Sequence, residues 1–194
     1  MKINSVPRHV INTRFGWFAI AGLVVLLLGP LGNRAASTSP CEPAPAFQTL
    51  AKPWTAVGST GVIDEASLNI FAFGTTDLGF KPAAGNVIVA RYNVTNTFDN
   101  NASPNKPGWT TFEMGSKAPL NTIIEGRLFT VKACGTDAVL ICSARNRSGD
   151  HPCAKCDFAS GTIDFGNNLY YVEVKMDRTA VPNATPQLFT LRLF

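Results

Sequence analysis

The densest chemistry in the chain is the stretch His151-Pro152-Cys153-Ala154-Lys155-Cys156-Asp157. Two thiols separated by two residues can hold a metal, cycle a redox couple, tether a haem or close a disulfide. Haem attachment needs a histidine directly after the second cysteine, and Asp157 stands there. A thioredoxin-type centre needs a helix start that lowers the thiol pKa, and the flanking residues "NRSGDHP" read as a loop. Zinc fits better: Cys134, Cys142, Cys153 and Cys156 could supply four thiolates, with His151 replacing one. Cys134 and Cys142 are eight positions apart, however, and do not form the second close pair of a zinc site.

The reading favoured here is disulfides among Cys134, Cys142, Cys153 and Cys156, because the chain carries the marks of export and oxidation is the fate of thiols there. Four cysteines allow three pairings that sequence does not distinguish. Cys41 is the odd fifth, free or paired with one of the four. Ala144 to Ala159 reads as a long polar loop, and a crosslink there would stabilise the fold by about 2–4 kcal/mol. No metal and no cofactor are expected.

Catalytic constellations are weak. His151 is the single histidine after residue 37, so any imidazole-dependent hydrolase would depend on it. Candidate carboxylates for glycoside hydrolysis are Asp64, Glu65, Glu113, Glu125, Asp164 and Glu173. None is marked out by its neighbours. Gly58-Ser59-Thr60-Gly61 lacks the lysine and the following helix of a phosphate loop. The large aromatics Trp54, Trp109 and Phe98 flank loops or strand starts. Exposed, they would stack on the apolar faces of sugars; buried, they would plug the core. Asn93, Asn101, Asn146 and Asn183 each begin an N-x-S/T glycan-acceptor triplet.

The elements that must position these groups are strands. Asn86 to Thr95 alternates with Ile88, Ala90, Tyr92 and Val94 on one side, the period of a half-buried strand. Leu169 to Arg178 repeats it, with Tyr170, Val172, Val174 and Met176 inward and Glu173, Lys175 and Asp177 outward. Leu188 to Phe194 is expected to bury Phe189, Leu191 and Leu193. Similar runs cover Ser67 to Phe73, Trp109 to Met114, Arg127 to Cys134 and Val139 to Ala144, and the residues from Cys134 to Ala138 read as a hairpin turn. With polar turns between the runs and no helical period, the chain is expected to be all-β: an antiparallel β-sandwich of about seven or eight short strands.

The front of the chain differs in kind. Phe15 to Gly32 is an uncharged apolar run, preceded by Lys2, Arg8 and Arg14 and followed by small residues. That is the form of an export signal, with an uncleaved N-terminal anchor helix as the alternative. Residues 1–37 are therefore assigned to the signal or anchor, 38–53 to a Pro-rich linker, and 54–194 to the sandwich. The chain has 17 basic and 13 acidic residues. Four of the basic residues and none of the acids fall before residue 38, so the remainder is formally neutral. The cluster of positive charge expected of a nucleic-acid binder is missing. The expectation is an exported, secreted or membrane-anchored, non-catalytic domain with a structural or surface-interaction role, its partner a surface protein or a glycan. The alternative is a carbohydrate-binding module, and a hydrolase or zinc enzyme is the third reading. Membrane contact would come only through the N-terminal segment.

Overall fold

Strong alternation forms strands where it runs longest. A computed structural model of the protein describes residues 52–82, 84–96, 105–147 and 153–194. Within them lie eleven strands: β1 Trp54–Val57, β2 Val62–Ile63, β3 Phe71–Phe73, β4 Leu78–Phe80, β5 Val87–Val94, β6 Thr111–Lys117, β7 Ile123–Lys132, β8 Ala138–Arg147, β9 Cys153–Asp157, β10 Asn168–Asp177 and β11 Gln187–Leu193. The strand pairings among the described residues are antiparallel. One sheet has the order β3-β4-β11-β6-β9, with β1 also paired to β11; the other has the order β2-β5-β10-β7-β8. The N-terminal segment assigned to a signal or anchor, and most of the linker, lie outside the described residues.

The all-β sandwich is as expected, with more strands than the seven or eight anticipated. The additional ones are short. β4 is buried at all three positions, so it has no alternation to read. Ser67 to Phe73 gives only the three residues of β3, because Glu65–Ser67 form a 3-10 turn capped by the Asp64 side chain. The expected polar loop from Ala144 to Ala159 is largely strand instead: β8 runs to Arg147 and β9 begins at Cys153.

The core lies between the sheets. Ile88, Ala90 and Tyr92 of β5 and Val172, Val174 and Met176 of β10 are buried, as their period requires. They face Phe112 and Met114 of β6 and Leu191 and Leu193 of β11. Burial of each large apolar side chain contributes roughly 1.5–3 kcal/mol. In β11 the expected phase fails at one end. The register slips between Leu188 and Thr190, leaving Phe189 as an extra residue opposite β6. Leu188 takes the inward place and Phe189 is only half-buried. A bulge of this kind changes which residues face in.

The two edges of the sandwich are closed in different ways. At one, β8 and β9 end their respective sheets and Cys142 is disulfide-bonded to Cys156, with Cα atoms 6.0 Å apart. At the other, the chain crosses from β1 through a 3-10 turn at Gly58–Thr60 into β2. The glycines of the "GSTG" stretch serve this crossing. A Cβ on Gly58 would collide with the backbone of Leu188 and Leu78, and one on Gly61 with the ring of Tyr92. The Tyr92 hydroxyl donates to the Gly58 carbonyl at 2.6 Å. Burial pushes its pKa up.

Candidate functional site

The register of the five-stranded sheet lays its outward side chains in rows. One row runs Asn93, Tyr171, Phe129, Leu140 across β5, β10, β7 and β8. The next runs Val62, Arg91, Glu173, Arg127, Ser143, beginning on β2. Tyr171 and Phe129 are stacked, with ring centroids 5.1 Å apart and planes 14° from parallel. Both are half-buried, and Leu140 beyond them is 50% exposed. The Arg127 guanidinium lies 5.6 Å from the Phe129 centroid. A platform of aromatic carbon thus adjoins a row of hydrogen-bonding groups.

The charges of that second row are matched. Arg91 Nε donates to Glu173 Oε2 at 3.0 Å, and its Nη1 to Asp64 Oδ2 at 3.2 Å. Arg127 Nη2 donates to the other Glu173 oxygen. The hydrogen bond to Glu173 is the main reason the Arg91 pKa lies above its ordinary value. Two guanidinium groups and two carboxylates close on one another. They hold their polar edges in place and leave no unbalanced charge among the four.

Asn93 and Arg91 also line a cleft of about 550 Å³ beside the β1–β2 crossing. Thr55, Thr60, Thr190 and Arg192 line it as well. Arg192 is paired with Glu113 at 3.4 Å, and Glu113 in turn with Lys155 at 3.0 Å. The cleft therefore offers hydroxyls, an amide and neutralised guanidinium groups. One of its lining residues, Asn93, is next to Tyr171 in the register and so belongs to the aromatic row as well. Such a site can satisfy many hydroxyls while an aromatic surface receives C–H groups.

No family model and no curated protein matches the chain. Solved structures similar to it include a family 6 carbohydrate-binding module, at 11% identity over 72% of this chain and 92% of that one, with a TM-score of 0.41. A family 11 carbohydrate-binding module from Clostridium thermocellum, in complex with a β-1,3-1,4-mixed-linked tetrasaccharide, is 11% identical over 77% and 91%, with a TM-score of 0.37. TmCBM61, in complex with β-1,4-galactotriose, is 10% identical over 73% and 87%, with a TM-score of 0.36. At these TM-scores the likeness carries neither ligand nor site across to this chain.

The residues singled out by sequence fall elsewhere. Trp54 and Trp109 are only 4% and 2% exposed. Trp54 forms part of the cleft wall, but neither indole offers an open face. Both belong to the core, and Trp109 Nε1 donates to the Lys52 carbonyl at 3.2 Å. Phe98, His151 and Cys41 lie outside the described residues. The structure does not present the cysteines of the zinc alternative as four thiolates: Cys142 and Cys156 are bonded to each other, Cys153 is also in a disulfide, and Cys134 is a free, exposed thiol. No metal-binding cluster occurs among the described residues. Of the carboxylates, Glu173 and Glu113 each lie between two cations. Asp64 caps a 3-10 turn, and Asp164 accepts from the Gly166 backbone and the Asn167 amide. Asn146 is buried with its amide donating to Ser116, which withholds it from glycan transfer in the folded chain. Asn93 and Asn183 are exposed.

Tyr171 and Phe129 were not among the expected binding residues, although a signal was present. Alternation places Tyr170 and Leu128 inward, so their neighbours Tyr171 and Phe129 must face out. An outward aromatic on each of two strands was the mark of the platform, and only the pairing register could bring the two together.

Proposed function

We propose that the chain is an exported β-sandwich that binds carbohydrate on the outer face of its five-stranded sheet. The observation that carries this reading is the stacked Tyr171–Phe129 pair beside Asn93 and the matched Arg91–Glu173–Arg127 row. Sugars present apolar C–H faces and a rim of hydroxyls that both donate and accept. Asn93 does both, the guanidinium groups donate, and Glu173 and Asp64 fix those donors rather than competing as free charges. The role is one of binding, with no chemical step assigned to the site. The apolar run before residue 33 supports delivery outside the cytoplasm.

A surface protein is the second reading, favoured by the exposed Leu140 and Leu169 at the hairpin end of the same face. Calorimetric titration of the purified protein with soluble polysaccharides separates the two. Saturable binding that is lost in Tyr171→Ala supports the carbohydrate reading. Absence of heat and of any tyrosine or tryptophan fluorescence change across a broad panel leaves the protein-partner reading.

A further inference from the structure

Resting on the carbohydrate reading, we infer that the ligand is a neutral, linear polysaccharide, bound along its interior and laid across the strands. Three observations carry this.

The first is extent. The row from Asn93 to Leu140 crosses four neighbouring strands. Strands lie about 4.8 Å apart, so the row spans about 14 Å before the cleft is added. Because Asn93 and Arg91 belong to both the rows and the cleft, cleft and row form one continuous track. That track is longer than a disaccharide.

The second is charge. Arg91, Arg127, Glu173 and Asp64 neutralise one another, and Arg192 is engaged by Glu113. A carboxylated or sulfated chain would have to break these pairs to gain its own. A neutral chain can use the remaining donor and acceptor positions without disturbing them.

The third is polarity along the track. The cleft end is rich in hydroxyl and amide groups, and the far end is apolar, closing on the exposed Leu140. Neither end is built to recognise a chain terminus. A saccharide can enter over β2 and leave over β8.

The experiment uses calorimetry with a β-1,4-glucan, a mixed-linkage β-glucan, a xylan, a β-1,4-mannan, a β-1,4-galactan and polygalacturonate, followed by the oligosaccharide ladder of whichever polymer binds. Affinity is expected to rise about tenfold or more from the disaccharide to the tetrasaccharide, and to change less than about threefold between 0.05 and 0.5 M NaCl. Leu140→Ser, a change at an exposed position of the track, is expected to weaken the tetrasaccharide by a larger factor than the disaccharide. A monosaccharide or disaccharide that binds as tightly as the polymer overturns this inference and leaves the carbohydrate reading standing. So does a preference for polygalacturonate that fades with salt. Failure of every polysaccharide to bind overturns both.

Discussion

Tyr171 and Phe129 stack across the β10–β7 pair, their ring centroids 5.1 Å apart. The stack is the meeting point of two alternations, one in each strand, brought into line by register. Each ring holds the other upright on the sheet face, and Arg127 packs against the same cluster. An aromatic cross-strand pair contributes about 0.5–1.5 kcal/mol beyond its area.

Tyr171→Ala is therefore expected to cost about 1 kcal/mol of stability, with saccharide affinity falling by a larger factor. Urea denaturation and calorimetric titration measure the two effects separately. Equal, small changes in both would mean that the pair only buttresses the sheet.

Arg178 gives a second prediction, concerning the loops that frame the sandwich. It is 2% exposed, and its guanidinium donates to the carbonyls of Lys81, Ala84, Gly85 and Ala184. It also lies 4.2 Å from the Phe80 ring centroid. Only a planar, forked donor can reach four carbonyls set around it. Arg178→Lys keeps the charge and loses the fork. The expected cost is about 3 kcal/mol, as hydrogen bonds to a charged donor contribute about 1.5–3 kcal/mol each and some carbonyls are left unpaired. A melting temperature within a degree or so of the parent would show that charge alone suffices.

What the sequence made legible depended on strand length. β5 and β10 are long, and every inward residue read from their alternation is buried. β9 was missed because Cys153–Asp157 is short and rich in polar groups, and it is held in place by pairing with β6 and by the disulfide to β8. Phe189 was assigned inward because a bulge is invisible to a strict period of two. Trp54 and Trp109 show the limit for sites: residue type announces aromatic surface, but burial is a property of the whole fold. The pairing of Tyr171 with Phe129 is non-local, 42 residues apart, and only sheet order creates it.

The cysteines give a third prediction. Cys142 and Cys156 join the free edges of the two sheets, whereas Cys134 is exposed and unbonded near the β7–β8 turn. Alkylation of the non-reduced native protein should label Cys134 and leave Cys142 and Cys156 untouched. Peptide mapping should recover those two joined. Replacing both by serine removes a crosslink closing about 15 residues, with an expected cost of about 3 kcal/mol. Labelling of Cys142 in unreduced protein would dissolve the edge-to-edge clasp.

The fourth prediction concerns alkaline pH. Tyr92 is 3% exposed beneath the β1–β2 crossing, and burial raises its pKa well above the ordinary phenol value. In the unfolded chain the phenol ionises near pH 10; in the folded chain it stays protonated and donates to the Gly58 carbonyl. Because the folded pKa is the higher one, the unfolded state loses its proton first. The stabilisation is complete below about pH 10 and declines as pH rises from there toward the folded pKa. Tyr92→Phe keeps the ring and removes the titrating group. At pH 7 it is expected to cost about 1 kcal/mol for the lost hydrogen bond, whose acceptor carbonyl is left without this donor. Above pH 10 the parent should lose stability faster than the variant, so the gap between their urea midpoints narrows and then reverses. Parallel alkaline curves for the two proteins would show that Tyr92 ionises freely in the fold, and that the crossing does not depend on its proton.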